Sequence, residues 1–72
     1  MFLTLVSTSL ERVSYDPDTQ ILLVVFRDRS AYRYFSVPNA IFESFRTAPS
    51  KGAYFNHVIR SAYGFQVARV EV

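Results

Sequence analysis

The chain predicts a small α+β domain: a three-stranded antiparallel meander with two short helices packed on one face, and possible extra strands from its two ends. Three observations predict it. Gln20 to Arg27 is a run of β-branched and aromatic residues bounded by turn chemistry on both sides. Ile41, Phe42, Phe45 and Ala48 recur at helical spacing in the second half. The strands come first and the helices after, a segregation that belongs to α+β domains.

Each element has its own signal. Leu10 to Tyr15, with Leu10 and Val13 in an irregular apolar pattern, reads as the first strand and meets Asp16-Pro17-Asp18-Thr19. There Pro17 presets φ for a turn, and both aspartates are able to bond nearby amides. Asp28-Arg29-Ser30 turns the second strand back into a third, Ala31 to Ser36, which puts Tyr32 and Tyr34 on one face and Arg33 on the other. Pro38 suits a first helical position, and Pro49 stops that helix. Ser50 is a good N-cap for the second helix, in which Tyr54, Phe55, Val58 and Ile59 share a face. Gly64 then supplies a flexible exit into a tail strand over Phe65 to Val72, with Val67 and Val70 out of phase.

Composition bounds the function. Seventy-two residues make one domain, and a chain of this size buries only about 60% of the surface its unfolded form exposes. Without cysteine there are no disulfides and no thiolate metal ligands. Dense apolar packing must compensate, and seven Phe and five Tyr supply it, each able to bury about 150–250 Å². Eight basic against six acidic residues give a net charge of +2. That mild excess, mostly arginine, fits a solvated surface better than a dedicated DNA-binding face. No apolar run approaches the ~18 residues of a membrane span, and MFLTLV is too short for a signal peptide, so a cytoplasmic protein is expected.

YDPDTQ, VVFR, YRYF and PSKGAYFNHVIR together resemble the KTSC family, small domains named after a segment at the C-terminus of some lysyl-tRNA synthetases, across about residues 8–64. Tyr32-Arg33-Tyr34 matches the family's Tyr-x-Tyr. The resemblance implies a small α+β fold and, through a role suggested for the family, RNA binding. One departure stands out. The family alternates apolar and polar residues on its second strand, whereas Ile21, Leu23 and Val25 here fill the polar positions. A strand apolar on both faces is normally covered on both. Either the ends (Phe2, Leu3, Leu5 and Val6; Val67, Val70 and Val72) fold back over Ile21, Leu23 and Val25, or these three form an interface with a protein partner or a second copy.

The candidate nucleic-acid residues are Tyr32, Arg33, Tyr34, Lys51, His57 and Arg60. Two tyrosines at i and i+2 on a sheet face suit stacking on unpaired bases, with Arg27, Arg29 or Lys51 as flanking cations. At least one of the pair is expected in the core. Pro49-Ser50-Lys51-Gly52 opens a helix where an anion is favoured, although capping accounts for it equally. His57 and Arg60, three apart, are neighbours on the polar side of the second helix. Catalysis lacks a signature: there is one histidine and no second ligand at metal spacing, and turn chemistry accounts for Asp16 and Asp18. A set of Ser61, His57 and a carboxylate has no sequence feature behind it. No enzyme, metal or cofactor is expected.

Two functions follow. The first is a non-catalytic binding module for RNA or other nucleic acid. The second is a small protein-interaction regulator of the phage type, binding host transcription machinery through the apolar sheet face.

Overall fold

The computed structural model describes residues 2–4 and 10–68. Five antiparallel strands lie in sequence order: β1 (Phe2–Thr4), β2 (Leu10–Asp16), β3 (Ile21–Phe26), β4 (Ala31–Tyr34) and β5 (Phe65–Ala68). The helix α1 (Asn39–Thr47) and a second helix lie between β4 and β5. The second begins as α2 (Lys51–Tyr54) and continues as a π-helical turn over Phe55–Ile59. The expected meander is therefore β2–β3–β4. The ends extend it at its two edges, β1 pairing with β2 and β5 with β4.

The irregular apolar pattern of the first strand has a structural cause. Leu10 faces Phe26 and Arg12 faces Val25, so Glu11 is an extra residue that forms a bulge. The bulge turns Leu10 and Val13, three apart, to the same side, and both are fully buried. The two hairpin turns use left-handed backbone at Gln20 (φ 59°) and Arg29 (φ 72°). In the β3–β4 hairpin the Arg29 amide donates to the Phe26 carbonyl (3.0 Å), and the Phe26 amide to that of Ser30 (2.8 Å). A tight turn closing on a left-handed residue is a common three-residue hairpin.

One sheet face carries the core. Leu22 and Val24 of β3, Tyr34 of β4, Phe42 and Phe45 of α1, and Phe55 and Ile59 of the second helix pack with Leu10, Val13, Tyr15 and Val37. Tyr15 stacks on Phe42 with ring centroids 4.4 Å apart and 10° between planes. Its hydroxyl donates to the Val37 carbonyl at 2.6 Å, and the Val37 amide donates to the Gln20 carbonyl at 3.0 Å. The segment leading from sheet to helix is thus tied at both backbone polar groups of one residue.

Helix boundaries follow the sequence closely. Pro38 sits one position earlier than expected, at the N-cap of α1. Ala48, extended because Pro49 follows, ends that helix. Ser50 caps the second helix by accepting from the Ala53 amide (3.3 Å). At Gly64 the backbone is not left-handed, and its carbonyl accepts from the Phe35 amide at 2.9 Å.

On the opposite face Val25, Ala31 and Ala68 are buried side by side across β3, β4 and β5, with Leu23 packed against them. Ile21 and Leu23 are half-buried. Leu23 lies between Ser14 and Arg33, and Ile21 beside Asp16, so polar neighbours interrupt the apolar centre. Of the residues expected to cover this face, Leu5, Val6, Val70 and Val72 lie outside the described residues. Phe2, Leu3 and Val67 belong to the edge strands.

Two expectations test this packing. Burial, and then the neighbouring Asp16 charge, push the Tyr15 phenol above its ordinary value. The unfolded chain's tyrosine ionises near pH 10 while the folded one stays protonated. Its contribution is therefore complete below about pH 10 and lost as pH rises beyond it. Tyr15→Phe should cost about 1–3 kcal/mol at neutral pH by leaving the Val37 carbonyl unpaired. It should also flatten the loss of thermal stability between pH 9 and 11, followed by circular dichroism melts. Gly64→Ala should add about 0.4–1 kcal/mol in urea unfolding, because a Cβ there meets nothing within 4 Å and the backbone already suits alanine.

Candidate functional site: an aromatic groove between the second helix and a hairpin

Tyr32 and Tyr34 point to the same face of β4, opposite Val24 and Leu22 of β3, which is the face the helices cover. The helices do not cover it completely. Toward β5 five aromatic rings form a closed circuit of contacts. Phe26 meets Tyr32 (5.8 Å), Tyr32 meets Phe65 (5.5 Å), and Phe65 meets Tyr34 (5.6 Å); Tyr34 meets Phe55 (5.4 Å), which returns to Phe26 (5.6 Å). Most of these contacts are edge-to-face, the arrangement that the ring quadrupole favours. Phe55 closes the circuit from within the core. The other four rings line an open groove of about 700 Å³.

Polar groups enter the groove from two elements. Asn56 and Arg60 come from the second helix, and Arg27, Asp28 and Ser30 from the β3–β4 hairpin. The π-helical turn sets the first pair: the Arg60 amide donates to the Phe55 carbonyl (2.8 Å), five residues back. Arg60 Nη1 then donates to Asn56 Oδ1 at 3.2 Å. In the hairpin, Asp28 Oδ1 accepts from both the amide (2.9 Å) and the hydroxyl (2.6 Å) of Ser30. These bonds, the hydroxyl's first, hold the Asp28 carboxyl below the usual carboxylate range, so it is charged at neutral pH.

Tyr34 is the deepest of the lining residues, 4% exposed. Burial pushes its phenol up, while the Arg60 charge draws it back and Tyr32 adds to the rise. Its hydroxyl makes no hydrogen bond to a described residue, unlike those of Tyr15 and Tyr54, which donate to backbone carbonyls. It is the polar end of an otherwise apolar wall. Phe65 is the most open of the rings, at 56% exposure.

The structure therefore brings together Tyr32, Tyr34 and Arg60, with Arg27 from the expected flanking cations. It separates the others. Arg33 lies on the opposite sheet face, between Leu23 and Gln66. Lys51 turns back to the first helix, its Nζ donating to the Ala48 carbonyl at 2.9 Å, which is helix C-capping. His57 is exposed and does not line the groove; the partner of Arg60 is Asn56. Phe26, Asp28, Ser30, Asn56 and Phe65 were not among the expected site residues. Phe65 carried a faint signal, as an aromatic residue opening a tail strand, and only pairing with Tyr34 brings it into the site. Among the described residues no group of three His, Asp or Glu side chains is placed to hold a metal ion, and no helix is long and apolar enough to cross a membrane.

The groove combines flat apolar walls with a guanidinium and hydrogen-bonding groups. It suits a planar ring carrying a negative charge, and its volume falls within the roughly 300–1,000 Å³ typical of small-ligand sites.

Comparison with known proteins gives consistent results. The KTSC domain family profile matches residues 6–63. A lysine–tRNA ligase of Nostoc punctiforme is 39% identical over 57 residues, which are 79% of this chain and 10% of the ligase. The chain thus spans about a tenth of that enzyme's length. A protein of Stutzerimonas stutzeri is 41% identical over 54 residues, covering 75% of this chain and 76% of that protein. The crystal structure of a KTSC domain protein from Yersinia pestis superposes with a TM-score of 0.89 at 29% identity, covering 94% of this chain and 96% of the other.

The coupling of Arg60 to the Tyr34 phenol is directly measurable. Because the arginine lowers that pKa, Arg60→Ala should move the Tyr34 titration upward, read from its ring resonances between pH 9 and 12. An unchanged titration would show that the guanidinium does not reach the hydroxyl.

Proposed function

The chain belongs to the KTSC domain family, and from that premise we propose that it is a non-catalytic module that binds single-stranded RNA through the aromatic groove. The observation that carries this proposal is the convergence of Arg60 on the Tyr32–Tyr34–Phe65 surface. A base stacked on the rings leaves its phosphate within reach of a guanidinium, the combination on which sequence-tolerant single-strand binders rely. The sequence likeness to part of a lysine–tRNA ligase, an enzyme whose name specifies an RNA substrate, supports the same ligand class. The net charge of +2 argues for a short, weak contact involving few phosphates.

A protein-docking role through Ile21, Leu23 and Val25 is the second reading. Half-buried Ile21 and Leu23 favour it, whereas Val25 at 1% exposure is already packed within the chain.

Titration of isotope-labelled protein with a short mixed-sequence RNA at low and high salt separates the two. RNA binding should shift the amides of Tyr32, Tyr34, Asn56, Arg60 and Phe65, with log affinity falling by about 0.7 per log unit of salt for each phosphate contact. Tyr32→Ala should weaken binding by about 1–3 kcal/mol. Arg60→Gln should lower both affinity and salt slope, and Leu23→Glu should change neither. Absence of shifts at low salt would refute the RNA proposal, and association of the chain with itself or another protein that Leu23→Glu abolishes would favour docking.

A further inference from the structure

The polar groups of the groove are not equivalent along its length. Ser30, Tyr32 and Tyr34 alternate along one chain segment toward the groove, a row that spans about 13 Å of backbone. The Arg60 charge acts at the Tyr34 end, where it lowers the phenol pKa. Asp28 is fastened to Ser30 at the other end. A nucleotide has a matching polarity, with a negative phosphate and a base edge on either side of a planar ring. A phosphate at the Asp28 end would meet a fixed carboxylate. The phosphate therefore belongs beside Arg60 and the base edge beside Asp28.

The hairpin uses only half of that carboxylate. Both Ser30 bonds end on Oδ1, while Oδ2 has no partner among the described residues. An ionised carboxylate only accepts hydrogen bonds, so it selects for a base edge with donors. On their Watson–Crick edges uracil sets one N–H between two carbonyls, and adenine and cytosine set an amino group beside a bare ring nitrogen. Each of these brings an acceptor lone pair against the carboxylate. Guanine alone presents two adjacent donors, N1–H and the 2-amino group. Single-stranded RNA is read on this edge when a base is stacked on an aromatic side chain.

We propose that the groove selects guanine, with its N1–H and 2-amino group converging on the open Oδ2 of Asp28 while the ring stacks at Tyr32. The inference rests on the RNA-binding proposal and adds the identity of the base.

The test uses the full chain and four pentanucleotides, UUGUU, UUAUU, UUCUU and UUUUU, with affinities from fluorescence anisotropy. UUGUU should bind about tenfold more tightly than the other three, the discrimination expected of two donors of one base edge meeting a charged acceptor. Asp28→Asn separates the turn from the readout. Its retained Oδ1 still accepts from Ser30, checked by an unmoved Ser30 amide resonance, while an amino group replaces Oδ2. That variant should lose the preference for UUGUU and bind the four RNAs alike. Equal affinities in the unaltered protein would overturn the guanine inference and leave the RNA-binding proposal intact. A preference that survives Asp28→Asn would overturn it too. Failure of all four RNAs to bind would remove both proposals together.

Discussion

The backbone of Val37 is the constraint on which the arrangement depends. Its carbonyl accepts from the Tyr15 hydroxyl and its amide donates to the Gln20 carbonyl, so the chain leaving β4 is bound to both the β2 strand and the β2–β3 turn. The Tyr15 ring lies flat on Phe42 and thereby positions the first turns of α1. A domain this small has a thin core, and one buried hydrogen bond with an aromatic stack is a substantial part of what holds the helical layer in register. Displacing α1 would shift the second helix with it and carry Asn56 and Arg60 away from the tyrosines.

The groove follows from that placement. The second helix buries Phe55 and Ile59 and leaves Tyr32 and Phe65 partly open. Widening of its last turn to π geometry fixes where Arg60 emerges, next to the buried Tyr34. The aromatic circuit is both core and surface: Phe55 lies inside, Phe65 mostly outside, and Tyr34 spans the two. The same rings stabilise the fold and form the walls of the groove, so substitutions that keep the ring, such as Tyr34→Phe, separate structure from recognition better than alanine does.

The outer sheet face shows how a strand apolar on both sides is accommodated. Val25 and Ala68 flank small Ala31 in one row across three strands and pack within the sheet's own surface, while Ser14, Arg33 and Asp16 border Leu23 and Ile21. The exposed large apolar side chains among the described residues are instead Phe35, Phe65 and Val67.

Much of the architecture was legible in residue order. Turn chemistry at Asp16-Pro17-Asp18 and Asp28, the β-branched run of β3, the helical stripe of α1 and the Ser50 cap are local preferences that tertiary contacts reinforced. The Glu11 bulge explains why the first strand's pattern was irregular, since an inserted residue breaks the period of two on which pattern reading relies. The binding surface was less legible. Tyr32, Tyr34 and Arg60 stood out by residue type, but whether Lys51, His57 and Arg33 join them is a matter of direction in space. Lys51 is drawn to a helix C-terminus, and Arg33 is sent to the far face by strand alternation. The sequence by itself determined which segments are strands and helices and which face of each is apolar, because these depend on neighbours within a few residues. Only the tertiary structure decided that Phe26, Asp28, Asn56 and Phe65 line one groove. Those residues are up to 39 positions apart, and what brings them together is the pairing of β5 with β4 and the turn of one helix.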